Sequence, residues 1–320
     1  MEVTCPICNR LIIDVLIKDV NEFDNTYDVF YCRECNTGVT IPVPSLNTSS
    51  SLYSLESYRS ASGKRFIGPV EAGVYLARQL RRRRIQKYKK PGRILDIGCG
   101  RGVFLNVMKK TGWNVAGTEH DWITADAIAN RYDIHIAAGN PGEWGFPTGS
   151  FDVVTMYHVL EHMSDPESAI GECSRILEKG GLLVVATPNI RSIQSSLGAR
   201  LWFHLDIPYH LYHFSEQGLS SLIEKFGFHV FKVRRFSLEY CPFGWLQTLL
   251  NLTGIRKNLL YNILKNTNSR KSLIFNASKW DILLTISLTP LFLPISLILS
   301  LYESFMLKKG GTIEIYARKS

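Results

Sequence analysis

The chain has 320 residues and a formal net charge of +9, with 45% hydrophobic and 20% charged residues. This composition excludes intrinsically disordered, collagenous and disulfide-scaffold proteins, which are too polar, too repetitive or too rich in cysteine. The length predicts one large α/β domain with an appendage, because single domains commonly have about 100–200 residues.

The positive charge is concentrated in two stretches that contain no acidic residue. Residues 78–93 hold nine basic side chains and residues 240–280 hold six. Such patches attract the phosphates of nucleic acid or of anionic lipids, although a solvated surface gives the same pattern. For the run 81–84 we expect the solvated end of a helix that covers residues 66–88.

Two cysteine pairs near the start of the chain indicate a metal site. Each pair has C-x2-C spacing, and 23 residues separate the pairs. This pattern predicts a structural zinc site in which each pair offers two thiolates from a tight turn; four ordinary reduced thiols are the alternative. No secretory signal precedes the pairs, so we expect a reducing cytoplasm and no disulfides. The predicted ligands are Cys5, Cys8, Cys32 and Cys35.

The residues between the pairs are rich in β-branched and aromatic side chains, which predicts the strands of a zinc ribbon over residues 1–44. Such a short ribbon buries little apolar surface, so the metal would act as its core. Serine, proline and asparagine then predict a linker. We place the linker and a first helix at residues 45–90 and the main domain at residues 91–320.

A strand, a glycine-rich turn and a helix follow one another from residue 93. Arg93 to Ile97 is a short apolar strand, Gly98-Cys99-Gly100-Arg101-Gly102 is the turn, and a helical pattern starts at Val103. This arrangement places backbone N–H groups and a helix N-terminus beside a ligand at the carboxyl end of the strand. The third glycine is residue 102 rather than 103, which argues against a dinucleotide fingerprint.

The motif Asp96-x-Gly98-x-Gly100-x-Gly102 resembles motif I of the class I S-adenosylmethionine-dependent methyltransferases. The resemblance extends over residues 90–236 and implies an α/β, Rossmann-like, seven-stranded methyltransferase sheet. Its last strand, residues 310–318, would enter the sheet antiparallel to the others. The later segments that carry the resemblance are Ser150 to Val154, His158 to His162, Arg175 to Gly181, Leu182 to Asn189 and His210 to Ser215.

The resemblance implies S-adenosylmethionine as cofactor. By motif match, Asp96, Gly98 and Gly100 would surround its methionine part. Glu119, at the end of the second strand, would bind the ribose, since a carboxylate accepts bonds from hydroxyls. Asn140 would approach the adenine at a position where many members of the family have an acid.

Four histidines are candidates for a catalytic base. Methyl transfer to a hydroxyl requires a group that takes its proton, and the pKa of histidine suits this role. His158 and His162 follow the fourth strand, while His210 and His213 precede the sixth strand. His158 is the first choice, with His162 and His213 as further catalytic candidates; packing at the rim of the cleft is the alternative role.

An apolar helical insertion, residues 240–309, separates the last two strands. Residues 282–302 contain no charge over 21 positions, a length that could span a bilayer. Both flanking strands enter one sheet, so a single crossing is excluded. We expect a re-entrant hairpin bending at Pro290 and Pro294, or a helix pair in the membrane interface. A buried core helix or dimer helix is the alternative.

These features together predict a cytoplasmic enzyme attached peripherally or monotopically to an anionic membrane surface. Its acceptor would be a hydroxyl of a lipid or of a lipid-linked sugar. One alternative is a methyltransferase for a soluble small molecule that uses the apolar hairpin to form a homodimer. Another is an RNA-modifying protein, but no aromatic residues interleave with the arginine run, and we do not expect nucleic acid as a partner.

Overall fold

The computed structural model describes residues 3–12, 14–22, 24–43, 65–66, 68–265 and 274–320. Residues 45–64, in the predicted linker and first helix over residues 45–90, lie outside this part, as do Arg270 and Lys271 of the second basic stretch. The chain forms two compact units. The first unit comprises residues 1–74, 188–215 and 235–313, and the second comprises residues 75–187, 216–234 and 314–320.

The described residues form strands and helices that we number in chain order. The strands are β1 Val3–Thr4, β2 Leu11–Ile12, β3 Asp14–Glu22, β4 Asn25–Cys32, β5 Thr37–Ile41, β6 Arg93–Ile97, β7 Asn114–Glu119, β8 His135–Ala138, β9 Phe151–Tyr157, β10 Leu177–Pro188, β11 Tyr212–Phe214, β12 Phe228–Arg234 and β13 Thr312–Lys319. The helices are α1 Gly68–Gln86, α2 Val103–Lys109, α3 Trp122–Tyr132, α4 Pro166–Ile176, α5 Ile193–Gly198, α6 Glu216–Lys225, α7 Cys241–Leu252, α8 Leu259–Leu264 and α9 Lys279–Leu301. Three short 3-10 helices, Leu160–His162, Ala199–Leu201 and Phe203–Leu205, and a π-helical turn, Tyr302–Met306, complete the set.

A seven-stranded sheet forms the centre of the second unit, in the order β12-β13-β10-β9-β6-β7-β8. The pairs from β10 through β8 are parallel, and β13 is antiparallel to β12. The sheet confirms the predicted Rossmann-like order with an antiparallel last strand. Its central strands are continuous apolar runs because helices cover both faces of such a sheet.

The apolar core of the second unit joins the central strands to helix α2. Ile94, Val153 and Val184, from three adjacent strands, are fully buried together with Leu105 and Met108 of α2. Each of these side chains contributes about 1.5–3 kcal/mol by leaving water. This packing fixes α2 against the sheet and holds the glycine turn that precedes the helix.

In the first unit, the ribbon sheet gains a strand from a distant part of the chain. Its order is β11-β5-β4-β3, and β11 pairs antiparallel with β5. Trp202 and Leu205 pack in the same cluster as Ile17 and Val29 of the ribbon. The compact unit therefore crosses the predicted ribbon boundary at residue 44, because a short ribbon gains apolar burial by packing against residues 190–214.

Helix α9 continues through Pro290 and Pro294, so the predicted re-entrant hairpin at these prolines is wrong. Leu288 and Phe292, on either side of Pro290, pack against the cluster that contains Leu246 of α7. Among the described residues, the segment 279–306 is the one helix that is long enough and apolar enough to cross a membrane. Its mean hydropathy over an 18-residue window is 2.3.

The polarity of α9 is reversed relative to a helix of a soluble protein. Its buried side chains are the small polar residues Thr285, Ser296 and Ser300. The outward side of α9 and of the π-helical turn after it, which we call the apolar face, carries nine large side chains, each more than half exposed: Trp280, Leu283, Ile286, Leu291, Leu293, Ile298, Tyr302, Phe305 and Met306. A soluble helix normally buries the apolar side.

The buried carboxylate of Glu303 ties the end of this insertion to the rest of the first unit. It accepts hydrogen bonds from the backbone N–H of Ile193 at 2.5 Å and of Gln194 at 3.2 Å. The indole Nε1 of Trp245 donates a third bond at 2.7 Å. Removing Glu303 would leave these buried donors without their acceptor, at a cost of about 1–3 kcal/mol each.

Candidate functional site

Two glycines of the turn after β6 have different surroundings: Gly98 is closely packed, and Gly100 borders open space. Gly98 and Gly100 have φ values of 64° and 60°, in the left-handed region that favours glycine. A Cβ on Gly98 would lie 2.5 Å from the side chain of Val159, whereas a Cβ on Gly100 would meet no described atom within 4 Å. The turn therefore leaves room for a ligand at Gly100.

Four predicted residues meet at one edge of the sheet in the second unit. Gly98 follows β6, Glu119 ends β7, Asn140 lies two residues beyond β8, and His158 follows β9 directly. These strands are adjacent and parallel, so their carboxyl ends lie side by side. Ligands of open α/β sheets bind at this edge.

Glu119 is tied to the glycine turn itself. Its Oε1 accepts a hydrogen bond of 2.5 Å from the backbone N–H of Gly100, and its Oε2 accepts one from His120 at 3.3 Å. Glu119, the residue predicted to bind the ribose, thus lies beside the turn. Asn140 is exposed, and its backbone N–H donates to the Glu143 carboxylate at 2.6 Å.

Asp96 is buried between the strands of the sheet. Its Oδ1 accepts a hydrogen bond of 2.6 Å from the Thr155 hydroxyl. Burial raises the pKa of Asp96 to about 6, against the opposing influence of Thr155 and of the guanidinium groups of Arg81 and Arg78. Asp96 thus links the end of β6 to β9 directly before the glycine turn.

The arginine run at the end of α1 is only partly solvated, so the prediction of a solvated helix end is wrong for two of its members. Arg81 is buried, and its guanidinium lies 4.0 Å above the ring of Tyr157. Arg84 forms an ion pair of 3.1 Å with Glu314 of β13. Arg78, Arg81 and Arg84 recur every three residues and share one helix face, and this spacing could have indicated that the face packs against the protein.

His158 is held by backbone and side-chain contacts after β9. Its backbone has a φ of 57°, and its N–H donates to the Ala186 carbonyl at 2.8 Å. Its Nδ1 lies 3.4 Å from Oε1 of Glu161, a buried carboxylate in the 3-10 turn Leu160–His162. A histidine oriented by a carboxylate is the arrangement of a general base with its positioning group. His162 ends the same turn and is half-buried.

As a catalytic residue His213 stays a prediction, and it belongs to a different unit from His158 and His162. It lies in β11 of the ribbon sheet in the first unit, is buried, and has its Nε2 2.9 Å from the Thr40 hydroxyl. Burial lowers the pKa of His213 to about 3, so the ring stays neutral. His210 is also buried in this unit, with its Nδ1 3.0 Å from the carbonyl oxygen of His204.

The four predicted zinc ligands cluster in the first unit. Their Sγ atoms all lie within 4.8 Å of one another. The Cys5–Cys35 and Cys8–Cys32 separations are 3.5 and 3.4 Å. Tetrahedral zinc with thiolates at about 2.3 Å requires sulfur separations of roughly 3.8 Å, so the donor set and its spacing fit this metal.

Comparisons with known proteins agree with this geometry. A family model described as a methyltransferase domain matches residues 71–233, just over half of the chain. A relative from Mycolicibacterium smegmatis, named a probable S-adenosylmethionine-dependent methyltransferase, is 31% identical over 138 residues, which cover 43% of this chain and 52% of the relative. A ubiquinone biosynthesis O-methyltransferase from Colwellia psychrerythraea is 35% identical over 114 residues, 34% of this chain and 46% of the relative. The chain thus spans about half the length of these curated relatives.

A solved structure, that of the cyclase SpnF, shares the fold. It superposes with a TM-score of 0.53 at 16% identity and covers 87% of this chain and 97% of its own. At this identity the likeness concerns the fold alone.

Proposed function

Because the chain belongs to the methyltransferase domain family, we propose that it transfers the methyl group of S-adenosylmethionine to a hydroxyl of an acceptor. The observation that carries this proposal is the open space at Gly100, beside Glu119 and at the carboxyl edge of the sheet. When bound, the cofactor supplies an electrophilic methyl group on a sulfonium. The residues of the chain supply binding, orientation and proton transfer.

Cofactor binding is assigned to the residues that line the glycine turn. Gly98 and Gly100 allow the backbone to approach the methionine part, and Glu119 and Asn140 would hold the ribose and the adenine. Asp96 lies beneath the turn, within the electrostatic influence of Arg78 and Arg81.

His158 is the proposed base, with Glu161 as its positioning residue. The Nδ1 of His158 faces the buried Glu161 carboxylate at 3.4 Å, so the other ring nitrogen, Nε2, would take the proton of the acceptor hydroxyl. A positioned base contributes about 10²–10⁴-fold to a rate. Holding the hydroxyl in line with the methyl group contributes the remaining acceleration.

A labelling experiment tests the reaction and the base together. Wild type, His158→Gln and Glu161→Gln are incubated with methyl-labelled cofactor and with either a lipid extract or an aqueous extract. We expect label in the lipid fraction, a kcat about 10²–10⁴-fold lower for His158→Gln, and an intermediate loss for Glu161→Gln, all at unchanged cofactor affinity. Label in neither fraction would reject methyl transfer to these acceptors, and an unchanged kcat for His158→Gln would reject the base.

The apolar face of α9 supports attachment to a membrane. It exposes large apolar side chains while Thr285, Ser296 and Ser300 face the protein. Lys279 begins the helix, and Lys308 and Lys309 follow it as exposed cations, which suits anionic headgroups at both ends. A lipid or a lipid-linked sugar is therefore the acceptor class that we propose.

The insertion is proposed to lie in the cytoplasmic membrane interface rather than to cross the bilayer. Arg234 of β12 pairs with Glu314 of β13, so the chain leaves and re-enters the sheet at neighbouring positions. Helix α9 also packs along α7 through Leu288 and Phe292. An interfacial helix with one apolar side satisfies both constraints.

We also propose one structural zinc ion bound by the four clustered cysteines. The four sulfur atoms lie at separations close to those of a zinc tetrahedron, which supports this proposal. Four thiolates fill the coordination shell and leave no position for a substrate.

A further inference from the structure

Three buried threonines lie near the carboxyl ends of parallel strands in the second unit, and two of them hold other parts of the chain. The Thr118 hydroxyl of β7 accepts a hydrogen bond of 3.3 Å from the backbone N–H of Gly98. The Thr155 hydroxyl of β9 donates to Asp96 at 2.6 Å. The third hydroxyl, that of Thr187 in β10, is fully buried and has no hydrogen-bond partner among the described residues.

The burial of the Thr187 hydroxyl indicates a partner from outside the chain. Removing a hydroxyl from water without a compensating hydrogen bond costs free energy, so buried hydroxyl groups in proteins are nearly always bonded. A ligand that supplies this bond would offset the cost. Thr187 is the last residue but one of β10, at the edge of the sheet where ligands of open α/β folds bind.

Thr187 lies beside the proposed base. Ala186, the residue before it, pairs with Tyr157, and the backbone N–H of His158 donates to the Ala186 carbonyl at 2.8 Å. A residue directly opposite Thr187 in a parallel pair of strands makes this bond. Because adjacent strands lie about 4.8 Å apart, His158 and Thr187 can contact two neighbouring oxygens of one acceptor.

We propose that the Thr187 hydroxyl is a second acceptor-binding group, which holds the oxygen on the carbon next to the one whose hydroxyl is methylated. The acceptor would then carry two vicinal hydroxyls, as a sugar does, rather than one isolated hydroxyl, as a simple lipid alcohol does. Of the acceptor classes proposed above, this selects a lipid-linked sugar. The inference rests on the proposed function, because it requires His158 to act at the methylated hydroxyl.

The test measures stability and methyl transfer in the full-length protein. Thr187→Val keeps the shape of the side chain without its hydroxyl, and Thr187→Ser keeps the hydroxyl. Ser150→Ala is the matched control: the Ser150 hydroxyl is also buried without a described partner, but Ser150 precedes β9 at the opposite end of that strand.

The acceptor probe is the lipid extract, used either untreated or after oxidation with periodate. Periodate cleaves the carbon–carbon bond of a vicinal diol to give two carbonyl groups and is itself reduced to iodate, whereas an isolated hydroxyl is unchanged. Excess periodate is quenched before the enzyme and the methyl-labelled cofactor are added.

Without acceptor, we expect Thr187→Val to unfold at the same temperature as wild type or at a higher one, because valine removes an unpaired buried polar group. With limiting untreated extract it should transfer label about tenfold more slowly than wild type, which corresponds to one lost hydrogen bond. Thr187→Ser and Ser150→Ala should keep rates close to that of wild type. Wild type should transfer little label to the oxidised extract.

A lower unfolding temperature for Thr187→Val would show that the hydroxyl stabilises the fold, and equal labelling by this variant and wild type would show that it does not bind the acceptor; either result overturns the inference. Weaker cofactor affinity in Thr187→Val would place the hydroxyl at the cofactor and also overturn it. Labelling of the oxidised extract by wild type would overturn the requirement for vicinal hydroxyls. Absence of label with wild type and untreated extract would instead reject the proposed function, and this inference with it.

Discussion

The glycines of the turn after β6 show how one backbone conformation can serve two purposes. Gly98 and Gly100 both have positive φ, but only Gly98 is pressed against a neighbouring side chain, that of Val159. At Gly98 the missing side chain allows β6 and the segment after β9 to pack. At Gly100 it leaves space for a ligand, so a substitution there should affect binding more than folding.

Gly100→Val is therefore expected to abolish cofactor binding while the protein stays folded. The valine would fill the open space, and the left-handed backbone adds a strain of about 1–2 kcal/mol. Gly227→Val is the matched control, since Gly227 also has positive φ and no described atom within 4 Å of its Cβ. Calorimetry that finds equal cofactor affinity in the two variants would contradict the assignment of the turn.

The buried carboxyl group of Asp96 leads to a second prediction, which concerns how the free energy of unfolding depends on pH. Its pKa is raised from the ordinary value of 3.8 to about 6, so the folded state binds the proton more tightly than the unfolded state does. The free energy of unfolding then falls as the pH rises from about 4 to about 6, by at most roughly 3 kcal/mol. Asp96→Asn can still accept the Thr155 hydrogen bond but does not titrate.

The free energy of unfolding of wild type should therefore fall relative to that of Asp96→Asn between pH 4 and pH 7. Denaturant titrations of both proteins over this range measure the difference. Parallel curves for the two proteins would show that the carboxyl group is not perturbed.

At the scale of secondary-structure elements, the ribbon sheet depends on a strand from far along the chain. In the pairing of β11 with β5, Tyr212 lies opposite Val39 and Phe214 opposite Thr37. The hydroxyl of Ser215 also donates to the Asn36 carbonyl at 2.7 Å, next to the second cysteine pair. The zinc cluster is therefore expected to stabilise β11 as well as the ribbon.

Cys8→Ser should reduce the metal content from about one zinc per chain to none. Because β11 pairs with the ribbon, the amide protons of Tyr212–Phe214 should then exchange faster, while those of β6 in the second unit should keep their rate. Metal analysis and hydrogen exchange test the two parts separately. Freshly prepared wild-type protein without zinc, or unchanged exchange in β11, would contradict this expectation.

At the scale of the whole molecule, the exposed apolar face is the feature on which the proposed membrane attachment depends. A deletion of residues 242–307 would remove Glu303, and with it the acceptor for the N–H groups of Ile193 and Gln194. A soluble protein from this deletion is therefore not expected. Point substitutions on the apolar face test membrane attachment without touching the buried side.

The double variant Leu291→Lys/Ile298→Lys should no longer float with anionic vesicles at low salt. Each substitution removes about 1.5–3 kcal/mol of apolar burial. The control Leu197→Lys/Leu252→Lys adds the same charge at two exposed leucines of the same unit and should still bind. Wild type that stays in the supernatant would reject membrane attachment, and sedimentation would then show whether the apolar face joins two copies.

The sequence was most informative where spacing along the chain decides the structure. The strand Arg93–Ile97 has the predicted bounds, and the four cysteines come together as their spacing predicts. The glycine turn, Glu119 and Asn140 lie at one sheet edge because each lies at the carboxyl end of a parallel strand or within two residues of it. These features depend on local backbone geometry, which a short segment specifies by itself.

Tertiary structure alone decided the partners of segments that lie far apart in the chain. His213 lies in the ribbon sheet, where its strand pairs with the distant strand Thr37–Ile41, a pairing that its local sequence does not reveal. Arg81 is buried against Tyr157, and α9 continues through two prolines while it packs against α7. An apolar or charged side chain has the same pattern in the sequence whether it faces solvent, lipid or protein, since that choice depends on packing between distant segments.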